Sequence, residues 1–173
     1  EGLRAFCAVA LPLLLGQVFD VPQLGLAALG ALLTCYADPG GPAARRAPAV
    51  ISYALLGAGL YALFSWVGAQ SPWVSAPLAA FLVFCTSFAR IYGQAGMQVG
   101  NLSSVAALLA LGAPEPGMGW ALLHGLNFLA GAGWAVILTL VIWETHPYAA
   151  SRRALAEVCL LYTSDAADEE DSV

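Results

Sequence analysis

Apolar residues along this chain come in long unbroken runs, separated by short clusters of proline, glycine and acidic residues. The first run extends from about Ala5 to Val18 and stops at Phe19-Asp20-Val21-Pro22. The second, from about Gln23 to Tyr36, stops at Asp38-Pro39-Gly40-Gly41-Pro42. A third extends from about Ala47 to Gly68, before Ser71-Pro72, and a fourth from about Trp73 to Phe88, before Arg90 and Gly93. The fifth, from about Ala95 to Leu111, meets Gly112-Ala113-Pro114-Glu115-Pro116-Gly117. The sixth, from about Trp120 to Trp143, meets Glu144-Thr145-His146-Pro147. A helix needs about 20 apolar residues, with about 17 to 25 as the working range, to cross a hydrocarbon core of about 30 Å. Six segments approach that length, and the first two, being short, are expected to pair as a tight hairpin.

Lipid offers a backbone no hydrogen-bond partners, so a spanning segment is a helix or part of a closed barrel. The runs lack the period-2 alternation of a barrel strand. The expected fold is therefore all-α, a polytopic membrane bundle of about six transmembrane helices. Trp73, Trp120 and Trp143 fall at expected span ends, as an interfacial aromatic belt requires.

Composition agrees with this class. The 173 residues are 60% hydrophobic and 10% charged, with a mean hydropathy of +0.77, whereas soluble domains carry about 25% charged residues. Charge placement then assigns a side to each loop. With six spans, Arg4, Arg45, Arg46, Arg90, Arg152 and Arg153 all fall on one side, and the opposite loops carry only Asp20 and Glu115. Cytoplasmic loops retain arginine, so both ends are expected inside, in a bacterial inner (cytoplasmic) membrane. Arg45 and Arg46, beside a loop that can reverse sharply, are expected to meet anionic headgroups.

The net charge of -5 belongs to the last residues, because Asp165, Asp168, Glu169, Glu170 and Asp171 account for it and the remainder is neutral. From Cys159 to Glu169 the chain reads CLLYTSDAADE, which looks like the in-frame translation of a transposon-based sequencing-library adaptor. The expected organisation is a six-helix membrane half over 1–148, the start of a cytoplasmic segment over 149–158, and a non-native stretch over 159–173. Glu1 in place of an initiating methionine points to a longer reading frame.

Polar residues inside spans are costly and usually face a bundle interior. Gln94, Gln98 and Asn101 recur at i, i+4 and i+7 on span five, with Ser104 close to that stripe, and His124 and Asn127 at i, i+3 make a second polar face on span six. These, with Asp20 beside the short hairpin, are the candidate substrate pathway; packing between helices is the competing use of the amides. A histidine could also couple to protons. Cys7, Cys35 and Cys85 lie in apolar runs, where cysteine acts as a small hydrophobe, and no spacing fits a metal tetrahedron. Glu144 and His146 are two residues apart, and His124 stands about 30 Å away along a helix. No catalytic residue, metal or cofactor is therefore expected, and no enzyme. Nothing resembles a nucleotide-binding loop.

Leu24 to Thr34 (LGLAALGALLT), followed by Asp38-Pro39-Gly40-Gly41-Pro42 and Arg45-Arg46, resembles the start of the fusaric acid resistance type family of bacterial inner-membrane proteins. Trp143 to Tyr148 leading into Arg152 to Val158 resembles that family's exit from its first membrane half. The resemblance implies two six-span halves in the full-length protein and export of aromatic or other small organic acids, driven by a proton gradient if the protein works alone. The implied partners are membrane lipid, a small organic substrate and the missing C-terminal half of the same protein, with room for a homo-oligomer and no role for nucleic acid. The arginine that typically follows the final Pro-Tyr appears here only at Arg152, which leaves the subfamily open. A non-transporting membrane scaffold, or envelope-assembly protein, is the alternative.

Overall fold

The computed structural model describes residues 2–40, 43–142 and 159. Among them every regular element is helical. These are α1 (Gly2–Val18), α2 (Leu24–Tyr36), α3 (Ala43–Gln70), α4 (Pro72–Ser87), α5 (Gly93–Leu111) and α6 (Met118–Ile137). A 3₁₀ turn, Phe88–Tyr92, links α4 to α5, and a π-helical turn, Leu138–Ile142, continues α6. The breakers fall where the sequence puts them: α4 has Pro72 in its first turn, and Gly117 precedes α6. Asp20, between α1 and α2, takes a positive φ of 53°, which a short polar side chain tolerates.

Three stretches are long and apolar enough to cross a membrane: Arg46–Gln70, Pro72–Leu111 and Met118–Ile142, with Gly2–Val18 and Leu24–Tyr36 as shorter apolar helices. The second of these is folded back on itself. Thr86 and Ser104 stand 18 positions apart, yet their hydroxyls are 2.6 Å apart; a straight helix would separate them by about 27 Å. The reversal uses the 3₁₀ turn and Gly93, whose φ of 82° lies in the left-handed region that glycine enters freely.

At the centre α3 and α6 pack antiparallel. The start of α3 meets the end of α6 where Arg46 reaches the Thr139 carbonyl, and the backbone N–H of Glu115, just before α6, donates to the carbonyl of Ser65 near the end of α3. Between these ends Tyr61 stacks on Phe128 at 5.3 Å between ring centroids, with Tyr53 and Phe64 buried beside them. Helix α2 packs on α6, α5 packs on α3, and α1 and α4 lie outermost against α2 and α5. Close packing rests on small residues. A side chain on Gly30 would strike the Phe128 backbone, and one on Gly131 would strike the Ala27 carbonyl. The outer surface is apolar, with Phe6, Val18, Phe81, Ile91 and Ile142 exposed and Trp73 90% exposed. A soluble monomer rarely presents so much contiguous apolar surface, and lipid is its natural solvent.

Candidate functional site

Charge inside this apolar bundle gathers at one place. Asp38 follows α2, and its carboxylate is 2% exposed. Arg46, on the first turns of α3, grips it side-on, with Nε donating to Oδ1 at 2.8 Å and Nη2 to Oδ2 at 2.6 Å. Arg4, from α1, donates to Oδ2 through Nη1 at 2.6 Å. The backbone N–H of Gly40 also donates to Oδ1, at 3.1 Å. Two further guanidinium donors reach backbone carbonyls, Arg4 Nη2 to Cys35 at 3.3 Å and Arg46 Nη2 to Thr139 at 3.3 Å, whereas Arg4 Nε is buried without a partner. Thr139 lies in the π turn, whose wider winding redirects backbone groups. One cluster thus joins α1, α2, α3 and the end of α6.

A bidentate arginine–carboxylate pair is the strongest of the ordinary ion pairs, and here it is shielded from solvent. Burial pushes the Asp38 carboxyl up. The bonds from Arg46, Gly40 and Arg4 outweigh that and hold it below the usual carboxylate range.

Arg46 therefore departs from the expectation that it meets lipid headgroups: its side chain is 3% exposed because the Asp38 carboxylate faces it from eight residues away. The side chain of Arg45 and the whole of Arg152 and Arg153 lie outside the described residues. Arg90 is exposed in the 3₁₀ turn. Its neighbours Ala89 and Tyr92 border a groove of about 480 Å³ with Pro48 and Ala49 of α3, so Arg4, Arg46 and Arg90 stand at the same end of the bundle.

A second acid–base pair lies at the other end. Glu115 Oε1 lies 3.8 Å from His124 Nε2, with the side chains 33% and 14% exposed respectively. His124 Nδ1 is buried without a hydrogen-bond partner. Asn127, one turn further on α6, is half-buried.

The amides of α5 are not brought to these residues. Gln94 and Asn101 are exposed and Gln98 is half-buried with its Oε1 shielded and unbonded; α3 stands between this face and His124, since α5 and α6 each pack on α3. Ser104 alone of that group is used in packing, through Thr86 and the Gly100 carbonyl. Asp20 is exposed and borders a separate cavity of about 280 Å³ with Leu13, Gln17 and Pro22. The candidate pathway residues thus occupy three places, and no cleft among the described residues joins them. Glu144, His146 and the segments 149–158 and 159–173 lie outside the described residues, apart from Cys159.

No protein-family profile matches the chain, and no solved structure matches it. Over 157 residues it is 28% identical to a Synechocystis protein, "Uncharacterized protein slr1298", an alignment covering 90% of this chain and 20% of that protein. The chain thus spans about one fifth of the length of the relative it matches.

Proposed function

We propose that this chain is the six-span membrane half of a bacterial inner-membrane exporter of aromatic or other small organic acids, with both ends of that half in the cytoplasm. The observation that carries the reading is the stripe of Gln94, Gln98 and Asn101 on α5. Gln94 and Asn101 point away from the other five helices, although their helix is otherwise apolar on its outer face. Polar groups at membrane depth face a bundle interior or a water-filled path, so the interior they face belongs to a larger assembly. The aligned stretch is one fifth of its relative's length, which leaves room for the remainder of such an assembly in one polypeptide. The grouping of Arg4, Arg46 and Arg90 at one end agrees with a cytoplasmic side there. The resemblance to the fusaric acid resistance type family supplies the substrate class.

The scaffold reading retains one observation in its favour, the lack of a connected polar cleft among the described residues. Export separates the two. The intact protein is expressed in cells stripped of their own acid exporters and loaded with radiolabelled benzoate. Export predicts faster loss of label than with empty vector, slowed by Gln98→Ala and Asn101→Leu. Loss equal to the vector overturns it and favours the scaffold.

A further inference from the structure

The two ends of the bundle are built on one plan. Asp38-Pro39-Gly40 turns α2 into α3, and Glu115-Pro116-Gly117 turns α5 into α6. In each case a basic side chain follows on the next helix, Arg46 eight residues after Asp38 and His124 nine after Glu115, and each approaches its acid. Gly40 has a positive φ and Gly117 does not, so the likeness lies in chemistry and position rather than in turn type.

Helix neighbours repeat the plan. Exchanging α1, α2 and α3 with α4, α5 and α6 leaves the main packing pattern unchanged: α1 on α2 becomes α4 on α5, α2 on α6 becomes α5 on α3, α1 on α6 becomes α4 on α3, and α3 on α6 maps to itself. The contact of α2 with α3 is the one that lacks an equal. Each unit has three helices, an odd number, and α3 is antiparallel to α6, so the second unit is inverted relative to the first. Accordingly the two acid–base pairs lie at opposite ends, separated along α3 from Arg46 to Ser65 by about 28 Å. Inverted repeats are a common construction of membrane carriers, with equivalent groups presented to the two sides.

The equivalent groups differ in one respect. An arginine is charged at every accessible pH, whereas histidine is the side chain suited to changing charge between pH 5 and 8. From the inverted repeat we infer that Glu115 and His124 form a proton-binding site, the titratable counterpart of the fixed Asp38 cluster. One proton binds the imidazole, and the resulting imidazolium is drawn onto the Glu115 carboxylate; release leaves a neutral ring and a looser pair. Among the described residues, Glu115 is the carboxylate within reach of His124. Against α6, α3 brings the hydroxyls of Tyr53 and Tyr61, with its arginines at the far end; α2 brings Cys35 and Tyr36, also at the far end; and α1 brings Arg4 and Cys7. Sequence gives α5 no titratable residue.

The proton site does not require export, although the sidedness test below rests on the membrane reading. The intact protein, labelled with ¹⁵N-histidine in lipid nanodiscs, is titrated from pH 8 to pH 5, with His124→Gln identifying the His124 signal. The His124 ring is expected to pass from the neutral to the cationic pattern in wild type and in Glu115→Asp, and to need a lower pH in Glu115→Gln, by up to about 0.7 of a pH unit. An unchanged wild-type ring, or the same titration in Glu115→Gln as in wild type, overturns the proton site whatever the protein exports. For the repeat, Gly40→Cys and Gly117→Cys are introduced into a cysteine-free background and treated with a membrane-impermeant maleimide. Labelling of Gly117→Cys in intact cells, and of Gly40→Cys only after permeabilisation, is expected. Labelling of both from one side, or of neither, overturns the inversion.

Discussion

The α3–α6 pair is closed by charge at both ends, and the closures differ in kind. At the Asp38 end one carboxylate, 2% exposed, takes donors from two arginines and a backbone amide. At the Glu115 end a carboxylate one-third exposed faces a histidine at 3.8 Å. The first is a multiply bonded buried cluster and the second a loose pair open to solvent. Removing one partner from a buried pair strands a charge, whereas an exposed pair contributes little to stability. The Asp38 end is thus where the fold is held, and the Glu115 end is where change is cheap.

The largest expected effect is that of Asp38→Ala. It leaves Arg4 and Arg46 buried without their carboxylate, a loss of about 3 to 5 kcal/mol for a group of this kind. Thermal unfolding in detergent, or the yield of folded protein, reads it. A stability equal to wild type would mean that the two guanidiniums are solvated, and the contrast between the ends would disappear.

Next come the glycines that seat α6. Gly131 abuts the Ala27 carbonyl of α2, and a Cβ at Gly125 would lie 2.8 Å from Ala62 Cβ and 3.0 Å from the Ala58 carbonyl of α3. Overpacking costs about 1 to 3 kcal/mol. Gly131→Ala is expected at the upper end and Gly125→Ala at the lower, because a backbone carbonyl yields less readily than a methyl. The reverse order would place the tighter seam at the Glu115 end.

Acid sharpens the comparison further. A carboxyl held below its usual value contributes stability that is present above its unfolded pKa of about 4 and lost as pH falls through the folded value. For Asp38, burial raises the carboxyl while the bonds from Arg46, Gly40 and Arg4 lower it further, so the net direction is down. Thermal stability is therefore expected to be flat in this term above about pH 4 and to fall below it. Asp38→Asn should lack that fall; a fall of equal size in the variant would assign it to other carboxyls.

Helix positions were legible in the sequence because breakers stop helices locally. Pro72, Gly93 and Gly117 mark boundaries within a few residues of those observed. The exception is the start of α3, expected at about Ala47 and found at Ala43. Alanine and arginine are strong helix formers, and the added turn carries Arg46 onto Asp38. That pairing was not legible by reading the arginines as markers of sidedness, since a span count does not say which loop charge turns inward. The acid-Pro-Gly turn that recurs at Asp38 and Glu115, each with a basic residue two turns later, was the available signal. The α5 amides share a helical face as their spacing requires, but spacing cannot say that α3 intervenes between them and His124.

The smallest effect belongs to Glu115→Ala, and its smallness is what gives it value. With the carboxylate one-third exposed and 3.8 Å from the imidazole, the pair is worth about 0.2 to 1 kcal/mol. The variant should therefore unfold within about 1 kcal/mol of wild type at neutral pH. The backbone bond from Glu115 N–H to the Ser65 carbonyl, 2.9 Å, does not depend on the side chain and keeps the turn in place. A large loss would mean that Glu115 supports the fold as Asp38 does, and the two ends would then be alike. A small loss leaves the carboxylate free to serve His124, since a group that contributes little to the fold can exchange partners without unfolding it.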